Sequence, residues 1–175
     1  MLNTRLSKVL TLSLTAALLA AGVLGAQERP GDKGESAEEK KLTGRSAAPK
    51  AGEIDSAVTL DAMLSKKDKS SLSEAKGATI AGYVVQVERE EDGDYHVTLA
   101  SAAGETDTRK WVIVEVTPAW QKKDPTMSVK RLRGLVGKHV QVTGWLYYEP
   151  EEDHPDPRGT RWELHPVTRI TLPGA

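Results

Sequence analysis

Residues 79–100 read TIAGYVVQVEREEDGDYHVTLA, and their pattern decides the fold. Thr79–Arg89 and Asp94–Ala100 are runs rich in β-branched and aromatic residues, separated by an acidic, glycine-containing turn. That is the signature of a hairpin. The apolar pattern selects its loop. A two-residue Asp92-Gly93 turn sets Val97 against Glu88. A three-residue loop, Glu91-Asp92-Gly93, with Gly93 in the left-handed bulge position, pairs Val87 with Val97 and Val85 with Leu99. Only the second register builds one apolar face. It leaves Glu88 opposite His96 on the other.

Further along the chain, Lys110–Val116 (KWVIVEV) reads as a third strand. Thr117-Pro118 ends it, because proline cannot continue the ladder. Residues 118–137 then change period. Val129, Leu132 and Val136 share a helical stripe, Pro125 or Thr126 can start the helix, and Gly134 or Gly137 can end it. Lys138–Glu149 and Thr160–Leu172 are two further strands, with Pro166 marking a bend or edge position in the last.

The order strand, strand, strand, helix, strand, strand predicts a mainly β fold. It is that of a five-stranded OB-like barrel over 77–175, with one helix between strands three and four. Gly82 and Gly144 lie inside strands, where a small barrel must bend. Upstream, residues 54–76 predict a short helical segment. Thr59 caps a turn that carries Leu60, Met63 and Leu64, and KKDKSS then breaks the pattern.

The N-terminus has a different character. Arg5 and Lys8 precede an uncharged run at 9–25, VLTLSLTAALLAAGVLG, and small residues follow. This is the layout of a signal peptide over 1–26, cleaved after Ala26, which predicts an exported protein, periplasmic or secreted. No transmembrane anchor is expected after cleavage. The alternative is an uncleaved anchor, since about 17 apolar residues is the lower limit for a span. Residues 27–53 are polar, with Leu42 the one large aliphatic, and predict a disordered linker.

The chain of 175 residues has no cysteine, which excludes disulfides, thiolate metal sites and a cysteine nucleophile. Its formal charge is −1. Residues 77–175 hold 12 Lys and Arg against 15 Asp and Glu, a net −3. That balance argues against nucleic acid as a partner.

Three sets of residues could carry function. Asp94 and His96 share one strand face, as do Glu163 and His165, and Glu115 lies on a third strand. Imidazoles with carboxylates suit a divalent metal or a polar ligand. The candidate metal ligands are His96, Glu115, Glu163 and His165. The same groups also fit a structural network, with His96 paired to Glu88, Glu163 to Arg161 or Arg169, and His165 bonded to the backbone bend. Trp145 and Tyr147 are candidates for a stacking surface, because they share one face of the fourth strand while Leu146 and Tyr148 take the other. The third set is the loop at 147–159, with five carboxylates and His154, which reads as a solvated, proline-stiffened connection.

The strings DGDYHVTLA (92–100), VEVTP (114–118), VTGWLYY (142–148) and WELHPVT (162–168) resemble a group of exported bacterial OB-like proteins. In that group D-x-H, E-V-x-x-P, V-T-G and E-L-H-P-V occur in the same order. The resemblance covers roughly 78–172. It implies the fold and export, and no particular reaction.

No nucleophile elbow, phosphate loop or zincin motif is present. The sequence therefore predicts a non-catalytic binding module of the cell envelope. Its ligand would be an envelope protein, a glycan or a small polar molecule, with nucleic acid not expected. A metal-dependent hydrolase using the sheet histidines and carboxylates is the alternative, and single-stranded nucleic-acid binding a second one. No cofactor is expected in the main reading, and a divalent metal in the first alternative.

Overall fold

The computed structural model describes residues 37–66, 68–149 and 158–173. The expected signal peptide (1–26), the start of the expected linker (27–36) and most of the acidic loop (150–157) lie outside them. No described helix is long and apolar enough to cross a membrane.

Five strands form the body: β1 (Gly77–Arg89), β2 (Tyr95–Ala100), β3 (Val112–Val116), β4 (His139–Tyr148) and β5 (Trp162–Thr171). They close into a barrel in the order β1-β2-β3-β5-β4, with β4 pairing back onto β1. All neighbours are antiparallel except β3 and β5, where Val114 lies beside Leu164 in parallel. This is the OB-like barrel that the strand order predicts. Alternation along the strands sends Val97, Leu99, Val112, Val114, Val116, Val140, Val142, Leu146 and Leu164 into the fully buried core.

The hairpin takes the predicted three-residue loop. Glu90 N–H donates to Asp94 O at 2.9 Å, and Gly93 N–H to Glu90 O at 3.1 Å. Gly93 has φ +98°, which a side chain would strain. Val87 pairs with Val97 and Glu88 with His96. The next predicted pair is corrected: Leu99 faces Val84, not Val85, because a bulge between Val84 and Gln86 inserts an extra residue.

The single helix expected over 118–137 is three short turns: α3 (Pro118–Lys123), a 3-10 turn at Pro125–Met127 and α4 (Val129–Arg133). Asp124 interrupts it. Its extended backbone leaves its carboxylate to accept from Thr126 N–H at 2.9 Å. Met127 and Leu132 reach the core, whereas Val136, past the end of α4, is 49% exposed. Thr59 caps α2 (Leu60–Ser65) as predicted, accepting from Ala62 N–H at 3.1 Å. Leu60 and Met63 of α2 are buried.

The expected linker differs most. Its described part begins with α1 (Ala37–Thr43) and continues as a strap across the barrel. Trp120 Nε1–H donates to Arg45 O at 2.9 Å and Trp145 Nε1–H to Ala47 O at 2.8 Å. The Arg45 guanidinium lies 4.3 Å from the Trp145 ring centroid and donates to Glu74 O at 2.9 Å. Disorder over 37–53 was expected because the segment has almost no apolar residues of its own. Its order comes from what it lies on, since the Trp120 and Trp145 indoles need acceptors and cover.

Candidate functional site

Outward-facing side chains of β2, β3 and β5 meet on one wall, and register brings them together. His96 pairs directly across from Glu115 in the β2–β3 ladder. Because β3 runs parallel to β5 with Val114 at Leu164, Glu115 comes beside Glu163 and His165, which flank that leucine. Asp94 enters from the end of the hairpin loop. Asp94, Glu115, Glu163 and His165 are all buried although they lie outside the barrel's apolar core.

His96 Nε2 lies 2.9 Å from Glu115 Oε1, and its Nδ1 3.4 Å from Glu90 Oε1. His165 Nδ1 lies 3.1 Å from Glu115 Oε2 and its Nε2 3.4 Å from Asp94 Oδ2. A chain of alternating carboxylates and imidazoles results, Asp94–His165–Glu115–His96–Glu90. The 3.1 Å contact is close but not aligned as a hydrogen bond, and His165 Nδ1 has no hydrogen-bond partner. Glu163 Oε1 accepts from Arg158 Nη1, and the Glu163 carboxyl also hydrogen-bonds that of Glu115. Tyr147 sets its ring edge-on to His165, with centroids 5.6 Å apart.

These partners replace those expected. Glu88 accepts from Gln86 Nε2 at 2.9 Å rather than holding His96. Arg161 donates to Glu149 O and lies over Tyr148, so Glu163 takes Arg158 instead. His165 contacts carboxylates rather than the backbone bend. Trp145 and Tyr147 do point outward, but both are buried, Trp145 under the strap and Tyr147 against His165. They offer no open stacking surface.

Burial and neighbouring charge compete at every titrating group. Burial works to lower the pKa of His96, but the hydrogen bond and charge of Glu115, with Glu90 behind, carry it upward. Burial opposes the charge on His165 too, and Glu115 and Asp94 overcome it. At Glu115 burial favours the proton, yet His165 and His96 hold its pKa well below the usual carboxylate range. Glu163 goes the other way: burial, then the Glu115 charge, push it well up despite Arg158. The two adjacent carboxyls are thus pushed in opposite directions, Glu115 down and Glu163 up.

Asp94 and His165 also line a cleft of about 190 Å³, closed in by Thr43, Gly44 and Arg45 of the strap and by Thr117 and Ala119. Sequence reasoning missed the strap and Arg158. The indoles of Trp120 and Trp145 were the available signal for the first, and nothing local signals the second. A separate cleft of about 760 Å³ is lined by Lys130, Arg131, Lys138, Thr126, Ser128 and Thr171, with Leu135, Ile170 and Leu172. No carboxylate of the described residues lines it.

No protein-family model matches the chain, and no curated protein is similar to it. Among solved structures, it is similar to a chain of the S. pombe Stn1-Ten1 complex, with 16% identity, 57% of this chain and 59% of that one covered, and a TM-score of 0.39. A chain of yeast Stn1 and Ten1 gives 15%, 57% and 43%, and 0.36. Entamoeba histolytica asparaginyl-tRNA synthetase gives 20%, 59% and 22%, and 0.41. The chain thus spans less than two thirds of each. One expectation is corrected here. Nucleic acid was not expected as a partner, on net charge. Net charge does not support that exclusion, because Lys130, Arg131 and Lys138 line one cleft with no carboxylate among the described residues: charge is distributed, and a partner meets it locally.

Proposed function

We propose that the chain is an exported OB-fold binding module whose ligand engages the charged outer wall of β2, β3 and β5. The observation that carries this reading is the state of His165. It is 7% exposed, yet its Nδ1 has no hydrogen-bond partner. Burying charged groups is costly, and apolar residues would serve stability as well or better. Buried, incompletely satisfied groups with displaced pKa values beside a cleft are what a binding site requires. The basic start and apolar run within 1–26 support export.

The test is an amide NMR titration with a panel of amines, saccharides and short oligonucleotides. Saturable shifts should concentrate at 94–96, 115 and 163–165. Binders that all map elsewhere would overturn the reading.

A second reading rests on the basic cleft, which supports single-stranded nucleic acid. Lys130, Arg131 and Lys138 form no ion pair among the described residues. Anisotropy of a labelled strand of about twelve nucleotides should show binding that falls steeply with salt and disappears in a Lys130→Glu/Lys138→Glu variant. Salt-independent binding, or binding retained by the variant, would exclude it.

A further inference from the structure

We infer that Asp94, Glu115 and His165 form a binding site for a divalent first-row transition-metal ion. This rests on the reading of the same wall as the ligand surface and names what it holds. One donor atom from each of the three residues lies within 4.8 Å of the other two. The shortest spacing, from His165 Nδ1 to Glu115, also matches coordination. Charge-assisted N–H···O contacts run at about 2.7–2.9 Å. Two ligands at about 2.05 Å from a tetrahedral ion stand about 3.3 Å apart. With Nδ1 as its donor, His165 stands 3.1 Å from Glu115 Oε2, and Asp94 joins at a wider spacing, within 4.8 Å, since the 3.4 Å contact of Asp94 Oδ2 is to Nε2 on the other side of the ring.

An independent observation points the same way. His165 Nδ1 is buried, lacks a hydrogen-bond partner and faces Glu115 Oε2. The outer support is in place. His96 holds Glu115 Oε1 at 2.9 Å, which leaves Oε2 for the ion. Two carboxylates and a neutral imidazole balance a dication, and one imidazole among oxygens suits zinc or manganese. The cleft beside Asp94 and His165 supplies an entry path and room for water in an open position. Glu115, Glu149 and Glu163 also present close oxygens. Arg158 already occupies Glu163, however, and its charge opposes a cation there.

The experiment is calorimetry of zinc chloride into the chain, purified without a histidine tag and dialysed against chelator. Cobalt(II) absorption serves as the spectroscopic readout. One equivalent of zinc should bind and release protons as the imidazole is freed for coordination. Asp94→Asn and His165→Gln should each weaken binding by about tenfold or more. Replacing His139, which meets Tyr83 edge-on away from the wall, by His139→Gln should leave it unchanged. Circular dichroism checks that each variant is folded, and Asp94→Asn, at the cleft, carries the test if His165→Gln is not.

Folded protein that takes up neither zinc nor cobalt would overturn the inference. So would undiminished binding in Asp94→Asn. The NMR panel separates the two readings. Shifts at the wall without metal uptake sink only the metal. Metal uptake with every ligand mapping elsewhere sinks only the wall as ligand surface.

Discussion

Gly144→Ala puts the joint between barrel and site under direct strain. A Cβ at 144 would lie 2.8 Å from Pro166 O, 3.0 Å from Leu164 Cβ and 3.2 Å from Val167 Cα. Two of those three atoms are backbone, so no side chain can swing away. To bring the carbonyl from 2.8 Å to an ordinary 3.4 Å contact, β5 must retreat by 0.6 Å. Overpacking of this kind costs about 1–3 kcal/mol. The loss of glycine's freedom in the unfolded chain offsets about 0.4–1 kcal/mol. Taking the middle of each range, the net is a destabilisation of about 1.3 kcal/mol, a fall in Tm of about 3–8 °C. The retreating segment carries His165, so zinc affinity should fall as well, by about tenfold. Gly104→Ala is the comparison. Its φ of +70° strains any side chain, but nothing lies within 4 Å of the added carbon. It should cost about 1 kcal/mol and leave zinc binding intact. Thermal and urea melts with zinc calorimetry measure both. A Gly144→Ala protein melting within about 1 °C of wild type, with zinc affinity unchanged, would refute the reasoning.

Trp162→Phe removes the indole N–H that donates to Asp68 O at 3.1 Å, and part of a fully buried ring. The urea midpoint should fall by the equivalent of about 1–3 kcal/mol, and an unchanged midpoint would count against the bond. Thr59→Ala deletes the cap of α2 and should cost about 0.5–2 kcal/mol, with Thr59→Ser nearly neutral. Equal melts for the two variants would deny the capping role. The double variant Trp120→Phe/Trp145→Phe keeps the rings but removes both donors to the strap. Trypsin cleavage after Arg45 should accelerate while barrel circular dichroism persists, and an unchanged cleavage rate would show that the strap is held by something else.

The hairpin at 79–100, the strand order, the OB-like barrel and the Thr59 cap were legible in the sequence. Each depends on local periodicity, turn chemistry or capping, which neighbouring residues specify among themselves. The bulge at Val85 was not, because it answers the curvature of a closed barrel rather than any local signal. The break at Asp124 in the expected helix was missed because the apolar stripe alone was read across it.

The candidate site divides in the same way. Alternation alone put His96 on the face of Asp94, and Glu163 on that of His165. Only the closed barrel, with β3 running parallel to β5, decided that Glu115 joins the two pairs. A parallel neighbour distant in sequence has no local signature. Composition likewise determined that residues 37–53 cannot build a core of their own. That they nevertheless lie ordered on Trp120 and Trp145 was decided by the tertiary structure, because the acceptors that buried indoles require come from whichever chain passes within reach.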